Sequence, residues 1–352
     1  MQDIFTDFMA IVGVVLNGLP QGLLALTFGF ASIPTAMAFF VGAAGNVITQ
    51  NVAPISFQAE TITYAGTSGK NRSERCTMIF LGAILMALIG VFGLLTKIVD
   101  FVGQDIAFGM MAGVGIMLAK VAIDMVRKDK LSGGVSMAAA LITYFFTRNS
   151  GNTLVYTIVV SVIASCIASA VFEKDKENIV VVDDKFTRQK FTFNTNVIFG
   201  ALGMVCLNIG SNISFGSITA SMAPQAHYNV DQLSVISSLA DMASSFFGGA
   251  PVESIISATA SAPHAVWAGV AMMIVMGVIL LAGLLPKISK YVPTSSIAGF
   301  LFVLGVFKTV ALDAPGALAL NPAVGGLTMV VTAVTNPFLG MMAGLAARLL
   351  GV

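Results

Sequence analysis

The 352 residues carry 18 basic and 17 acidic side chains, a net charge of +1, with 57% hydrophobic and 10% charged content and a mean hydropathy of +0.91. Soluble domains carry roughly 25% charged residues, so this composition excludes a soluble enzyme or binding domain larger than a loop. With no basic surplus, it also excludes a nucleic-acid partner.

The chain reads as an all-α polytopic membrane protein in the cell membrane, with the lipid bilayer as its first partner. The N-terminus lacks the basic region of a cleavable signal, so the first apolar run is expected to be retained. The spacing of Cys76, Cys166 and Cys206 matches no metal or redox motif, and all three are expected as small residues of membrane helices. No phosphate-binding loop, metal cluster or nucleophile with a base is present, so neither an enzyme nor a bound cofactor or metal is expected.

In chain order, apolar segments fall at about 8–28, 31–46, 52–67, 76–97, 106–126, 133–147 and 152–172. A polar stretch, 173–196, follows. Seven more segments then fall at about 197–222, 231–247, 251–262, 265–285, 294–311, 320–334 and 336–350. A membrane-crossing helix needs about 20 apolar residues, and several of these are short.

The halves repeat each other. Leu16-Asn17 recurs as Leu207-Asn208, Ala53-Pro54-Ile55 as Ala250-Pro251-Val252, and Gly93-Leu94-Leu95-Thr96-Lys97-Ile98 as Gly283-Leu284-Leu285-Pro286-Lys287-Ile288; Val114-Gly115 then stands opposite Leu304-Gly305. Seven segments per copy is an odd number, so the second copy enters the membrane from the opposite side. The expectation is 14 transmembrane segments in a seven-plus-seven inverted repeat, 1–172 and 197–352. Two short strand-plus-half-helix segments are expected to meet at the membrane centre. In space the repeats are expected to form a core domain (about 8–97 and 197–285) and a gate domain (about 106–172 and 294–350). Most basic residues, including Lys174, Lys176 and Lys290, fall on one side. The positive-inside rule then places the inter-repeat loop in the cytoplasm and both termini outside.

Irregular backbone in a bilayer is tolerated where protein buries it or where it lines a watery cavity. The breaks at Pro54 and at FFGGAPVESIISATAS (246–261) therefore mark the substrate-facing centre of a transporter. Each proline is expected to start a short helix, with the positive helix ends aimed at a common spot. Glu253 then falls in a first turn, as a solute or proton contact or as a cap. Glu60 falls further along its helix, in the site or near the interface. These two are the candidate ion-coupling residues, because an intramembrane carboxylate is costly to bury ionised.

The remaining candidate solute ligands are Phe57 and Gln58 at the first break and Ala250, Ser254 and Ser257 at the second. Asn208, Ser211 and Asn212 lie in the segment between. Phe57 and Phe215 are candidates to stack on a planar ring, or simply to pack. Asp241 reads as a helix-packing or hydrogen-bonding residue, or else as one lining the cavity, Lys120 and Asp124 as a pair, and His227 and His264 as loop residues.

The run Leu239-Ala240-Asp241-Met242-Ala243-Ser244-Ser245-Phe246-Phe247-Gly248-Gly249-Ala250-Pro251 resembles the ninth and tenth segments of the xanthine/uracil permease family of nucleobase symporters. Phe108 to Ile123 resembles the fifth segment of its purine-permease branch. The resemblance implies a homodimer that takes up a nucleobase with a proton by an elevator-type motion, with both termini cytoplasmic. Two acidic positions of that family fall here on Leu207 and Ser257, which leaves Glu253 and Glu60 to carry coupling. Pro20-Gln21-Gly22 and Phe247-Gly248-Gly249-Ala250-Pro251 are also similar to sulfate permease-type anion transporters, which share the fold. Those proteins usually carry a C-terminal regulatory domain, and this chain stops at Val352. The expected function is therefore nucleobase transport, with an anion transporter or exchanger as the alternative.

Overall fold

The computed structural model describes residues 2–149, 153–172, 185–223, 225–289 and 291–351. Lys174, Lys176 and Lys290, and residues 173–184 of the inter-repeat stretch, lie outside the described residues.

The first half runs α1 (Gln2–Thr27), α2 (Ser32–Thr49), β1 (Ile55–Ser56), α3 (Ala59–Ser68), α4 (Arg72–Val91), α5 (Leu95–Val102), α6 (Gln104–Lys128), α7 (Lys130–Thr147) and α8 (Thr153–Phe172). The second half repeats that succession. It runs α9 (Thr195–Ser221), α10 (Val230–Ser245), β2 (Glu253–Ser254), a 3-10 turn (Ala258–Ser261), α11 (Ala265–Leu281) and α12 (Leu284–Ser289). A second 3-10 turn (Thr294–Ile297) then leads into α13 (Ala298–Val303), a π-helical stretch (Leu304–Val310) and α14 (Ala311–Leu320), followed by α15 (Pro322–Val334) and α16 (Pro337–Leu349). Among the described residues, six helices are long and apolar enough to cross a membrane. The chain is a multi-pass membrane protein.

Helix starts follow local chemistry. Asn71, Asn194, Asn229 and Asn336 each accept a hydrogen bond from the backbone N–H three residues on, through the side-chain oxygen. Such caps satisfy N–H groups that the helix leaves unpaired. Asn321 and Asn336 precede Pro322 and Pro337 at a first helical position, where the missing proline N–H costs nothing.

The helices divide between two compact units, 1–102 with 182–285 and 103–181 with 286–352. In the first unit the repeat is written into the strand pair. β1 and β2 are antiparallel, with Ile55 opposite Ser254 and Ser56 opposite Glu253. The two Ala-Pro dipeptides are 197 positions apart, and so are Ser56 and Glu253. Repeat-equivalent residues thus face each other, and the local two-fold relation runs between them, as an inverted duplication requires.

The second unit shows the same signature without strands. Gly115 on α6 and Gly305 in the π-helical stretch are equivalent residues 190 positions apart. A Cβ on Gly115 would lie 2.7 Å from the Gly305 carbonyl oxygen, and one on Gly305 would lie 2.5 Å from that of Gly115. Small residues allow such backbone contact between membrane helices. Gly305→Leu is expected to destabilise the protein by about 1–3 kcal/mol through overpacking. The check is a lower unfolding midpoint in detergent, with Gly134→Leu as control, since a Cβ there meets nothing within 4 Å. Asp105 and Arg348 form an ion pair in the same unit.

Several expectations need correction. The segments expected at 76–97 and 265–285 end before the repeated Gly-Leu-Leu motif and not after it: Gly93 and Gly283 both adopt φ +61°, a left-handed turn that glycine allows. That turn stops α4 at Val91 and α11 at Leu281 and starts the short α5 and α12. The expected helical first turn at each proline is also absent. Pro54 precedes a strand, α3 starts at Ala59, and the second copy has only the four-residue 3-10 turn. Asp124 pairs with Arg127 at 3.3 Å, not with Lys120.

Candidate functional site

Both breaks lie within the first unit, and side chains from neighbouring helices hold their backbones. Asn46 on α2 donates to the Ala53 carbonyl at 2.9 Å, and Asn51 Oδ1 accepts from the Ala53 N–H. On the other side, Asp241 on α10 accepts from the Val252 N–H at 2.7 Å. Thr35 Oγ1 accepts from the Ala250 N–H at 2.8 Å, and Ser244 donates to the Ala250 carbonyl at 2.7 Å. Thr219 on α9 closes the far end by donating to the Ile255 carbonyl and accepting from the Ser257 N–H. Buried backbone must find such partners. Asn46 and Asp241 play the same part for the two strands.

The approach of α1 depends on small residues. A Cβ on Gly18 would lie 3.2 Å from Ser56 Oγ, and one on Gly22 would lie 2.9 Å from the Phe57 ring. Gly18 and Gly22 thus let α1 come close to Ser56 and Phe57. The neighbouring Asn17 Oδ1 is buried without a hydrogen-bond partner.

Glu253 lies in β2, not in a helical turn, so it caps nothing. It is fully buried, and neither carboxyl oxygen has a hydrogen-bond donor. Because it stands opposite Ser56, the two side chains leave the same face of the strand pair. Ser56 Oγ, Ser254 Oγ and both amide atoms of Gln58 are buried without partners. So are Asn208 Oδ1, Asn212 Oδ1 and Asp241 Oδ2. Most buried polar atoms in proteins are paired, so this concentration of unspent groups around one strand pair distinguishes the region.

The other expected ligands divide. Glu60 is buried in the first turn of α3, earlier in its helix than expected. Asn208 stands beside Glu253. Asn212 donates to Ser234 Oγ at 3.0 Å, and the Ser211 hydroxyl faces the Asn208 carbonyl at 3.4 Å. Ser257 is taken up in the 3-10 turn, where its Oγ accepts from the Thr259 N–H, and Ala250 is held through both backbone groups as above. Phe57 is 1% exposed and sits edge-on to Phe39 with centroids 5.2 Å apart, which is core packing. Phe215 is half-buried on α9. His227 meets Gln232, and His264 pairs with Asp7 at 2.8 Å. Cys76, Cys166 and Cys206 form no disulfide. Among the described residues, no group of three or more His, Cys, Asp or Glu side chains could hold a metal.

Sequence reasoning missed Asn46, Thr35, Thr219 and Ser237. Asn46 had a readable signal, a lone amide in an apolar run. The hydroxyl residues had none, because Ser and Thr are common in membrane helices.

This is the architecture of a two-repeat membrane protein with broken central segments. No protein-family model matches the chain, and no curated protein matches it. Solved structures do. The transmembrane domain of a cyanobacterium bicarbonate transporter, BicA, aligns with a TM-score of 0.71 at 14% identity over 98% of both chains. SLC26A9 aligns with a TM-score of 0.74 at 14% identity, covering 99% of this chain and 65% of its own. The murine Slc26a9 anion transporter in its inward-facing state aligns at 0.72 and 13% identity, covering 99% and 68%. The chain thus has the transmembrane fold of these proteins and spans about two thirds of the SLC26A9 chains. Of the two resemblances read from the sequence, the sulfate permease type is the one these likenesses support, and the xanthine/uracil permease one gains no support from them.

Proposed function

We propose that the chain is a secondary transporter that carries a small anion across the membrane by alternating access. One observation carries this reading: two repeat-related strands pair at a break in the fold, surrounded by buried polar groups that no protein atom satisfies. A solute can supply the missing partners, and in transporters of duplicated design such breaks are where substrates bind. The fold likeness to proteins described as a bicarbonate transporter and an anion transporter favours an anion. Buried donors without a partner in and just after the strands are the Ser56 and Ser254 hydroxyls and the Gln58 amide.

A second reading, transport of a neutral nucleobase, has its own supporting observation. Glu253 offers a buried carboxyl and Gln58 an amide with both atoms unspent. Such a set suits the N–H and C=O edge of a planar ring and opposes a dianion. Uptake of labelled bicarbonate, sulfate, hypoxanthine and uracil into proteoliposomes separates the two. We expect saturable uptake of at least one monoanion, competed by other anions and not by purines. Purine uptake alone would replace the first reading with the second, and absence of all four activities would remove both.

A further inference from the structure

Among the described residues, no ion pair is formed by either of two carboxyls that the fold brings together. Asp241 on α10 is 1% exposed and Glu253 in β2 is 0% exposed. The Val252 N–H fixes Asp241 Oδ1 at 2.7 Å. The Asp241 and Glu253 carboxyls adjoin each other, and Asn208 and Ser237 stand beside Glu253. Asp241 Oδ2 and both Glu253 oxygens find no donor.

The surrounding elements offer little compensation. α2, β1 and α11 contain no charged residue, and the only titratable side chain of α9 is Cys206. α4 carries Arg72, Glu74, Arg75 and Cys76 near its start. Arg72 donates to the Gly248 carbonyl, and Arg75 donates to that of Gly69. α5 carries Lys97 and Asp100, α3 carries Glu60 and Tyr64, and the only other charge on α10 is Asp231, which accepts from the Leu95 N–H.

Ionised carboxylates buried without a partner are costly, and two facing each other repel. A proton between them turns an acceptor facing an acceptor into a charge-assisted O–H···O bond.

We propose that Asp241 and Glu253 form one proton-holding site, loaded together with the solute and emptied on the other side. This rests on the carrier reading above. The proton comes from water on one side and returns to water on the other, so no bond other than O–H forms or breaks. Loading reduces the negative charge beside the strand pair, which favours an arriving anion. By linkage, the anion favours loading to the same degree. Asp241, read from the sequence as a helix-packing residue, thereby becomes the second half of the coupling pair.

The test has a binding arm and a transport arm. Infrared spectra of the purified protein in detergent near neutral pH are expected to show a protonated-carboxyl band, unchanged when Na⁺ replaces K⁺. That band is expected to be lost in the Asp241→Asn/Glu253→Gln double variant. Asparagine keeps an oxygen for the Val252 N–H, and an unchanged unfolding midpoint for Asp241→Asn checks that the fold survives. In proteoliposomes, an inward proton gradient is expected to stimulate wild-type uptake several-fold and Asp241→Asn uptake not at all. Identical bands in wild type and double variant, or a band that responds to Na⁺, would overturn the proposal. A band that behaves as expected in a protein transporting none of the solutes would sink the carrier reading and leave the proton site standing.

Discussion

Glu253→Gln is expected to lower solute uptake at least tenfold, about 1.4 kcal/mol, with the protein still folded and monodisperse in detergent. The substitution keeps size and shape and exchanges one carboxyl oxygen for an amide. Any loss therefore reports on charge and hydrogen bonding, not on packing. No N–H or hydroxyl donor holds the Glu253 carboxyl oxygens, and a glutamine N–H can donate to Asp241 where the held proton did, so stability has little reason to fall. Relief of the burden of a buried carboxyl is expected to leave the unfolding midpoint equal or higher. Ser56→Ala, at the repeat-equivalent position across the strand pair, is expected to cost less, because a hydroxyl contributes a neutral hydrogen bond. The measurement is initial-rate uptake in proteoliposomes at matched protein density. Wild-type rates for Glu253→Gln at every pH tested would remove Glu253 from the site.

The second large effect concerns the turn that aims β2. Gly248 adopts φ +89°, in the left-handed region where a side chain costs roughly 1–2 kcal/mol. A Cβ there would also lie 2.2 Å from the Arg72 guanidinium. Arg72 donates to the Gly248 carbonyl through Nε at 3.2 Å and through a terminal nitrogen at 3.0 Å, and hydrogen bonds to charged groups contribute about 1.5–3 kcal/mol. Gly248→Ala therefore strains the backbone and displaces the guanidinium together, a combined cost of about 2.5–5 kcal/mol when the Arg72 bond to the carbonyl is lost. The expected readout is a clear fall in unfolding midpoint in detergent and a reduced yield of monodisperse protein. Gly13→Ala is the control, since a Cβ there meets nothing within 4 Å. A midpoint for Gly248→Ala equal to that of the control would refute the argument.

Much of the architecture was legible because a bilayer leaves few choices. Every backbone polar group must be satisfied within the protein, so long apolar runs become helices and a Gly-Gly-Ala-Pro interruption must be held by other protein groups or line a cavity. The repeated Asn, Ala-Pro and Gly-Leu-Leu marks, held at nearly constant spacing, were enough to expect two copies and a strand at each break. What followed each proline was not legible, because proline is compatible with a helix start and with extended backbone alike. In this chain the residues after Pro54 and Pro251 pair with one another, and only a partner nearly two hundred positions away could decide that. This moved Glu253 from a helix cap to a strand and Glu60 into the first turn of α3.

The candidate site was half readable for the same reason. Glu253, Gln58, Ser254 and Asn208 could be singled out as polar residues in apolar surroundings, and each proves buried and at least partly unspent. Phe57 and Ser257 looked equally suitable, but one packs against Phe39 and the other holds its own turn. Neighbouring chain, not residue type, settles whether a polar atom remains unspent. Asp241 shows the point most sharply: along α10 it is one more acid near the end of a membrane helix, and only tertiary contact sets it against Glu253. By itself the sequence determined a membrane protein of duplicated halves broken at two centres, because hydropathy and spacing are properties of the chain alone. The tertiary structure decided which polar groups meet at those breaks, because register and contact between distant segments depend on how they pack.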